Sequence, residues 1–67
     1  MSVLKVIEIM ASSEKSWKAA ANNAVEEAAK TVKNIKSVWI KDQDAVVKEG
    51  KIAEYRVVTK ITFAVDE

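Results

Sequence analysis

Ile35-Lys36-Ser37-Val38-Trp39-Ile40-Lys41-Asp42-Gln43-Asp44-Ala45-Val46-Val47 is followed by Lys48-Glu49-Gly50-Lys51, and then by Ile52-Ala53-Glu54-Tyr55-Arg56-Val57-Val58-Thr59-Lys60-Ile61-Thr62-Phe63-Ala64-Val65. Two long runs of strand-forming residues thus flank the only glycine of a chain that has no proline. A two-residue hairpin turn needs positive φ, which glycine adopts at little steric cost, so an X-Gly pair between such runs reads as one long β-hairpin. The turn is predicted at Glu49-Gly50, with Lys48 facing Lys51 and the register running outward from that pair. On this register Val38, Ile40 and Val46 share a face with Tyr55, Val57, Ile61 and Phe63, the apolar side for a helix to cover. Ser37, Trp39, Lys41, Gln43, Arg56, Val58, Lys60 and Thr62 fall on the other face, which is polar but carries an indole. A bulge near the tip would change individual partners.

Working back toward the N-terminus, Val3 to Met10 reads as a strand, with Lys5 and Glu8 interrupting it on opposite parities. Ala11-Ser12-Ser13 then forms a short loop in which Ser13 is the expected N-cap, beside Glu14 at the positive end of the helix dipole. From Glu14 to about Lys33, Trp17, Ala21, Ala24, Val25, Ala28 and Val32 recur at spacings of three and four, which predicts an amphipathic helix. Its stripe is mostly alanine, so it lies close to the sheet, with Trp17 as the bulky anchor. Glu26 and Lys30 are expected to pair on the solvent side. The expected fold class is α+β: a single domain over residues 1–67, of order β-α-β-β, with a three-stranded antiparallel sheet packed on one amphipathic helix. Hairpin arms of about 13 residues reach roughly 43 Å, whereas a helix of about 20 residues spans about 30 Å. One helix leaves part of the hairpin bare.

Sixty-seven residues make one small domain, and such domains lean on disulfides, a metal or oligomerisation for stability. This chain contains no Cys and no His, so self-association is the expected solution. With 49% hydrophobic and 31% charged residues it belongs with globular proteins, and a net charge of +1 gives no general attraction to nucleic acid or to an anionic membrane. No apolar stretch is long enough for a transmembrane span or a signal-peptide core, which leads to the expectation of a soluble, cytoplasmic protein. Catalysis is not expected, since there is no nucleophile–base pair and no glycine-rich phosphate loop. Glu8 on the first strand is a weak candidate for a buried carboxylate.

The stretches Val3-Leu4-Lys5-Val6-Ile7-Glu8-Ile9, Ser12-Ser13-Glu14-Lys15-Ser16-Trp17, Ala28-Ala29-Lys30-Thr31-Val32-Lys33-Asn34-Ile35, Glu54-Tyr55-Arg56-Val57 and Lys60-Ile61-Thr62-Phe63 carry a resemblance over essentially the whole chain. In order and spacing they resemble the dodecins, small flavin-binding proteins that assemble as hollow homododecamers of β-α-β-β subunits. The resemblance implies storage of riboflavin or FMN without chemistry. It also implies a stacking tryptophan early in the second strand and a glutamine in the third that bonds the ring's edge. Those positions hold Ser37 and Arg56 here, so neither residue is carried over. Some dodecin-like proteins without that tryptophan bind ions instead.

Two ligand readings follow, and a third reading is a pure interaction module whose hairpin binds another protein. Trp39, two residues beyond the stacking position, either stacks a flavin from a shifted site or fills a subunit interface. Ser37, Lys41, Gln43 and Arg56 complete that ligand set, with Lys41, Arg56 and Lys60 read either as an anion site or as intersubunit salt bridges. The alternative is calcium: Asp42 and Asp44 stand about 6.6 Å apart on one strand face and could share a hard cation with oxygen from another subunit. Solvated charges that protect the hairpin end are the plain alternative for that pair.

Overall fold

In a computed structural model, residues 3–65 are described. β1 (Leu4–Ser13) leads into α1 (Trp17–Ala29), followed by β2 (Ile35–Lys48) and β3 (Lys51–Ala64). The three strands form one antiparallel sheet in the order β1-β3-β2, so the last strand lies in the middle and pairs with both others. The α+β, β-α-β-β reading holds. The turn also closes as expected, with Lys48 opposite Lys51 and positive φ at both central residues, 53° at Glu49 and 76° at Gly50. That is the geometry whose twist matches the flanking strands.

The helix is shorter than its periodicity suggested. β1 extends to Ser13, which pairs with Tyr55, so Ser13 is a strand residue rather than the cap. Its hydroxyl accepts from the Lys15 amide at 3.0 Å. Ser16 is the N-cap instead: its backbone is extended and its hydroxyl accepts the Ala19 amide at 2.9 Å. Downstream the helix closes at Ala29, and Asn34 turns the chain with φ of 62° into β2. Lys30 reaches Glu27 at 3.2 Å, three residues back, rather than Glu26.

Ala20, Ala21, Ala24 and Ala28 are the buried face of α1, and they let it lie close on Val57, Thr59 and Ile61 of β3. Ala24, Ala28 and Ile61 form the centre, with Ile7, Ile9, Ala11, Val25, Val32 and Ile35 packed around it. Thr59 is wholly buried, and its hydroxyl donates to the Ile9 carbonyl at 2.8 Å, which removes the cost of an unpaired polar atom. Trp17 anchors the start of the helix, edge-on to Tyr55 with ring centroids 4.8 Å apart.

This core is thin. Ile61, Val57 and Thr59 are the largest fully buried side chains, in a body 51 × 19 × 13 Å. The opposite face is bare: Leu4, Val6, Met10 and Trp39 are all more than half exposed, and at the hairpin tip Val47 and Ile52 are exposed as well. An apolar face of that extent is normally covered by something.

Candidate functional site: the open face of the sheet

The register of β2 against β3 is not continuous. Ser37 to Ile40 pair with Thr62 to Thr59, and then Lys41 is passed over, so Asp42 pairs with Val58, Gln43 with Val57 and Asp44 with Arg56. Lys36 is skipped in the same way on β2, and Ala53 on β3. Each skipped residue is a β-bulge, and one extra residue reverses which side chains face which way beyond it. Directly opposed residues share a face, so Asp42 and Asp44 join Val58 and Arg56 on the open side. Gln43, opposite buried Val57, belongs to the helix side. The expected assignment of Gln43 to the open face is thereby corrected, as is that of Val46 to the helix face, since Val46 pairs with Glu54 on the open side.

The open face is a set of cross-strand rows, because β1 adds its partners on the far side of β3. Val6, Thr62 and Ser37 form one row, Glu8, Lys60 and Trp39 the next, then Met10, Val58 and Asp42, and finally Ser12, Arg56 and Asp44. Along the last two rows lies a shallow recess of about 300 Å³ lined by Met10, Asp42, Asp44, Arg56 and Val58, together with Gln43 and Val57.

The expected cluster of Lys41, Arg56 and Lys60 does not form, for each cation has its own partner within the chain. Arg56 grips Asp44 with both prongs: Nε donates to Oδ1 at 2.8 Å and Nη2 to Oδ2 at 2.6 Å. Lys41, on its bulge, reaches across the sheet to Glu8 at 3.4 Å. Glu8 is consequently a half-exposed ion-pair member and not a buried carboxylate. The Lys60 ammonium lies 5.7 Å from the centre of the Trp39 ring, a cation–π contact that leaves only one face of the indole for another planar group.

Asp44 is held twice over. Its carbonyl accepts the Trp17 indole N–H at 2.8 Å, which ties the helix start to edge strand β2. Its carboxyl is held below the ordinary aspartate range, chiefly by the hydrogen bonds from Arg56 and further by that residue's charge, with partial desolvation opposing. Because the folded value is the lower one, whatever stability the pair adds is present above the unfolded aspartate pKa of about 4 and is lost as pH falls through the folded value. Asp42 stands one row away and makes no ion pair among the described residues. Among the described residues, no group of three or more His, Cys, Asp or Glu comes together to hold a metal ion. A cation at Asp42 and Asp44 therefore needs further oxygens from backbone, water or another chain.

The sequence-predicted set is thus divided. Asp42, Asp44, Gln43 and Arg56 meet at the recess, whereas Ser37 and Trp39 lie two rows and one row further along the face and Lys41 is engaged elsewhere. Met10 and Val58 were not among the expected site residues. The strand parity of Met10 opposite Val58 was the signal that places them there.

A thin helix-backed core, a bare apolar face and charged groups gathered on that face define the class: a small β-α-β-β subunit with one side of its sheet uncovered. Comparison with known proteins gives the class its family. The dodecin family profile matches residues 3–66, and the calcium dodecin of Mycobacterium tuberculosis (strain ATCC 25618 / H37Rv) is 42% identical over 64 residues, covering 94% of this chain and 89% of the relative. This chain belongs to the dodecin family. The crystal structure of the calcium-chelating immunodominant antigen calcium dodecin from M. tuberculosis, described as having a novel calcium-binding site, is 34% identical. It superposes with a TM-score of 0.82, over 96% of this chain and 91% of that one. An arginine-to-alanine variant of the Thermus thermophilus dodecin is 28% identical, with a TM-score of 0.92 over the whole of both chains. Among the described residues no helix is long and apolar enough to cross a membrane.

Proposed function

We propose that this chain is a single-domain, non-catalytic binding protein that works as a homododecamer and takes up calcium at the Asp42 and Asp44 end of its open face. The shifted register between the bulges at Lys41 and Ala53 carries this reading, because it puts both carboxylates on the bare sheet face that other copies would cover. Calcium prefers six to eight hard oxygens, and Asp42, Asp44 and groups from a neighbouring copy are donors of that kind. The 42% identical relative, a calcium dodecin, supports the choice of ion. Oligomerisation is supported by the small core, which by itself gives a chain of this size little stability.

Calorimetric titration with calcium chloride tests the ion. The expected result is saturable binding that disappears in the Asp42→Asn, Asp44→Asn double variant. Absence of heat at millimolar calcium, or unchanged binding by the double variant, would remove calcium from the account.

One observation favours a second reading, a flavin or similar planar ligand. Trp39 is 60% exposed on the same face, with one side of its ring free of Lys60. On that reading riboflavin or FMN at micromolar concentration quenches tryptophan emission together with its own. The effect is lost in Trp39→Phe, which leaves Trp17 as the remaining indole. No quenching at a large excess of flavin excludes it.

A further inference from the structure

We propose that Arg56 is the resident competitor for the cation at Asp44, so that calcium enters this recess by exchange with a guanidinium and not into an open carboxylate pair. The inference deepens the calcium reading and rests on it. Both oxygens of Asp44 are engaged by Arg56, at 2.8 and 2.6 Å, through the lone pairs a calcium ion would need. A dication at roughly 2.3–2.6 Å from those oxygens and a guanidinium bonded to the same carboxylate edge repel each other and compete for the same electrons. The two aspartates are therefore unequal: Asp42 is ready for a cation, and Asp44 is already occupied by one.

The surrounding contacts say which partner moves. The main chain of Asp44 is pinned by the Trp17 indole, whereas the Arg56 side chain is long and about half exposed. Arg56 also has a second acid within electrostatic reach, since Glu54 lies two residues away on the same strand and acts on its charge. Exchange then means rotation of Arg56 toward Glu54 while Asp44 stays in place. A sodium or potassium ion has no greater charge than the guanidinium and would have to replace two charge-assisted hydrogen bonds. A divalent ion brings twice the charge and can draw on Asp42 as well. Arg56 thereby sets a preference for divalent over monovalent cations.

Calorimetric titration of calcium chloride into the assembled full-length protein at low salt tests this with the native chain and Arg56→Gln. The expected result is binding about tenfold tighter in Arg56→Gln, a gain that shrinks as salt is raised toward 1 M. Unchanged or weaker binding by Arg56→Gln overturns the competitor role. If the native chain gives no binding and Arg56→Gln does, the competitor role stands and the calcium function of the native chain falls. If neither binds, both fall. Should Arg56→Gln fail to assemble, Arg56→Lys carries the test, because it keeps the charge and gives up the two-pronged grip. Tightening of about threefold supports the proposal, and no tightening overturns it.

Discussion

Val6→Glu is expected to turn an assembled protein into separate, largely unfolded chains at micromolar concentration. Val6 is 56% exposed on the face away from the helix, in the row it shares with Thr62 and Ser37 and remote from Asp42 and Asp44. In a lone chain this change is harmless or helpful, since it trades an exposed apolar side chain for a charged one. In an assembly that covers the face, every copy buries a carboxylate with no partner, at a cost of several kcal/mol per ion. Light scattering and far-UV circular dichroism together read the outcome. A Val6→Glu protein with unchanged mass, or a native protein that is a folded monomer to begin with, contradicts coverage of this face by other copies.

Ile61→Ala has the largest expected effect within the chain itself. Ile61 has no solvent exposure and is the one large side chain at the centre of the core, between Ala24 and Ala28 of the helix and the flanking strands. Truncating such a residue costs about 2–5 kcal/mol, through lost transfer energy and the cavity left behind. A domain of this size derives only about 3–5 kcal/mol from its own core. Alanine neighbours add to the loss, because they have no side-chain length with which to fill the hole. The expected result is loss of a cooperative thermal transition, or a transition recovered only at high protein concentration, where association contributes. A melting temperature within a few degrees of the native protein's would mean that Ile61 is not the keystone of the core.

Much of the fold was legible because it depends on local chemistry. Gly50 between two strand-forming runs specified the turn, and positive φ at Glu49 and Gly50 is what such a pair provides. The alanine stripe and Trp17 specified the helix and the side it buries. The helix start was misread between two serines of equal capping quality. Pairing of Ser13 with Tyr55 decided between them, and that is a tertiary fact. The site was less legible, for it turns on two single-residue bulges, at Ala53 and at Lys41. Strand parity from the turn puts Gln43 with Arg56 on the open face, but the bulge at Ala53 shifts the register so that Asp44 faces Arg56 and Asp42 faces Val58, and the bulge at Lys41 shifts it back before Trp39. Nothing about a lysine in a strand announces a bulge, although bulges and lysines are both common devices for blunting an edge strand such as β2. The pairing of Arg56 with Asp44 was hidden for the same reason, since it exists only in the shifted register.

On the proposed reading, other copies cover the bare sheet face and the same contact brings the recess carboxylates their further ligands. The mass of the native protein in solution, measured by multi-angle light scattering at micromolar concentration, tests that claim most directly. The expected result is a single species of about twelve chains. A folded species of 7.4 kDa, the mass of one chain, would contradict it.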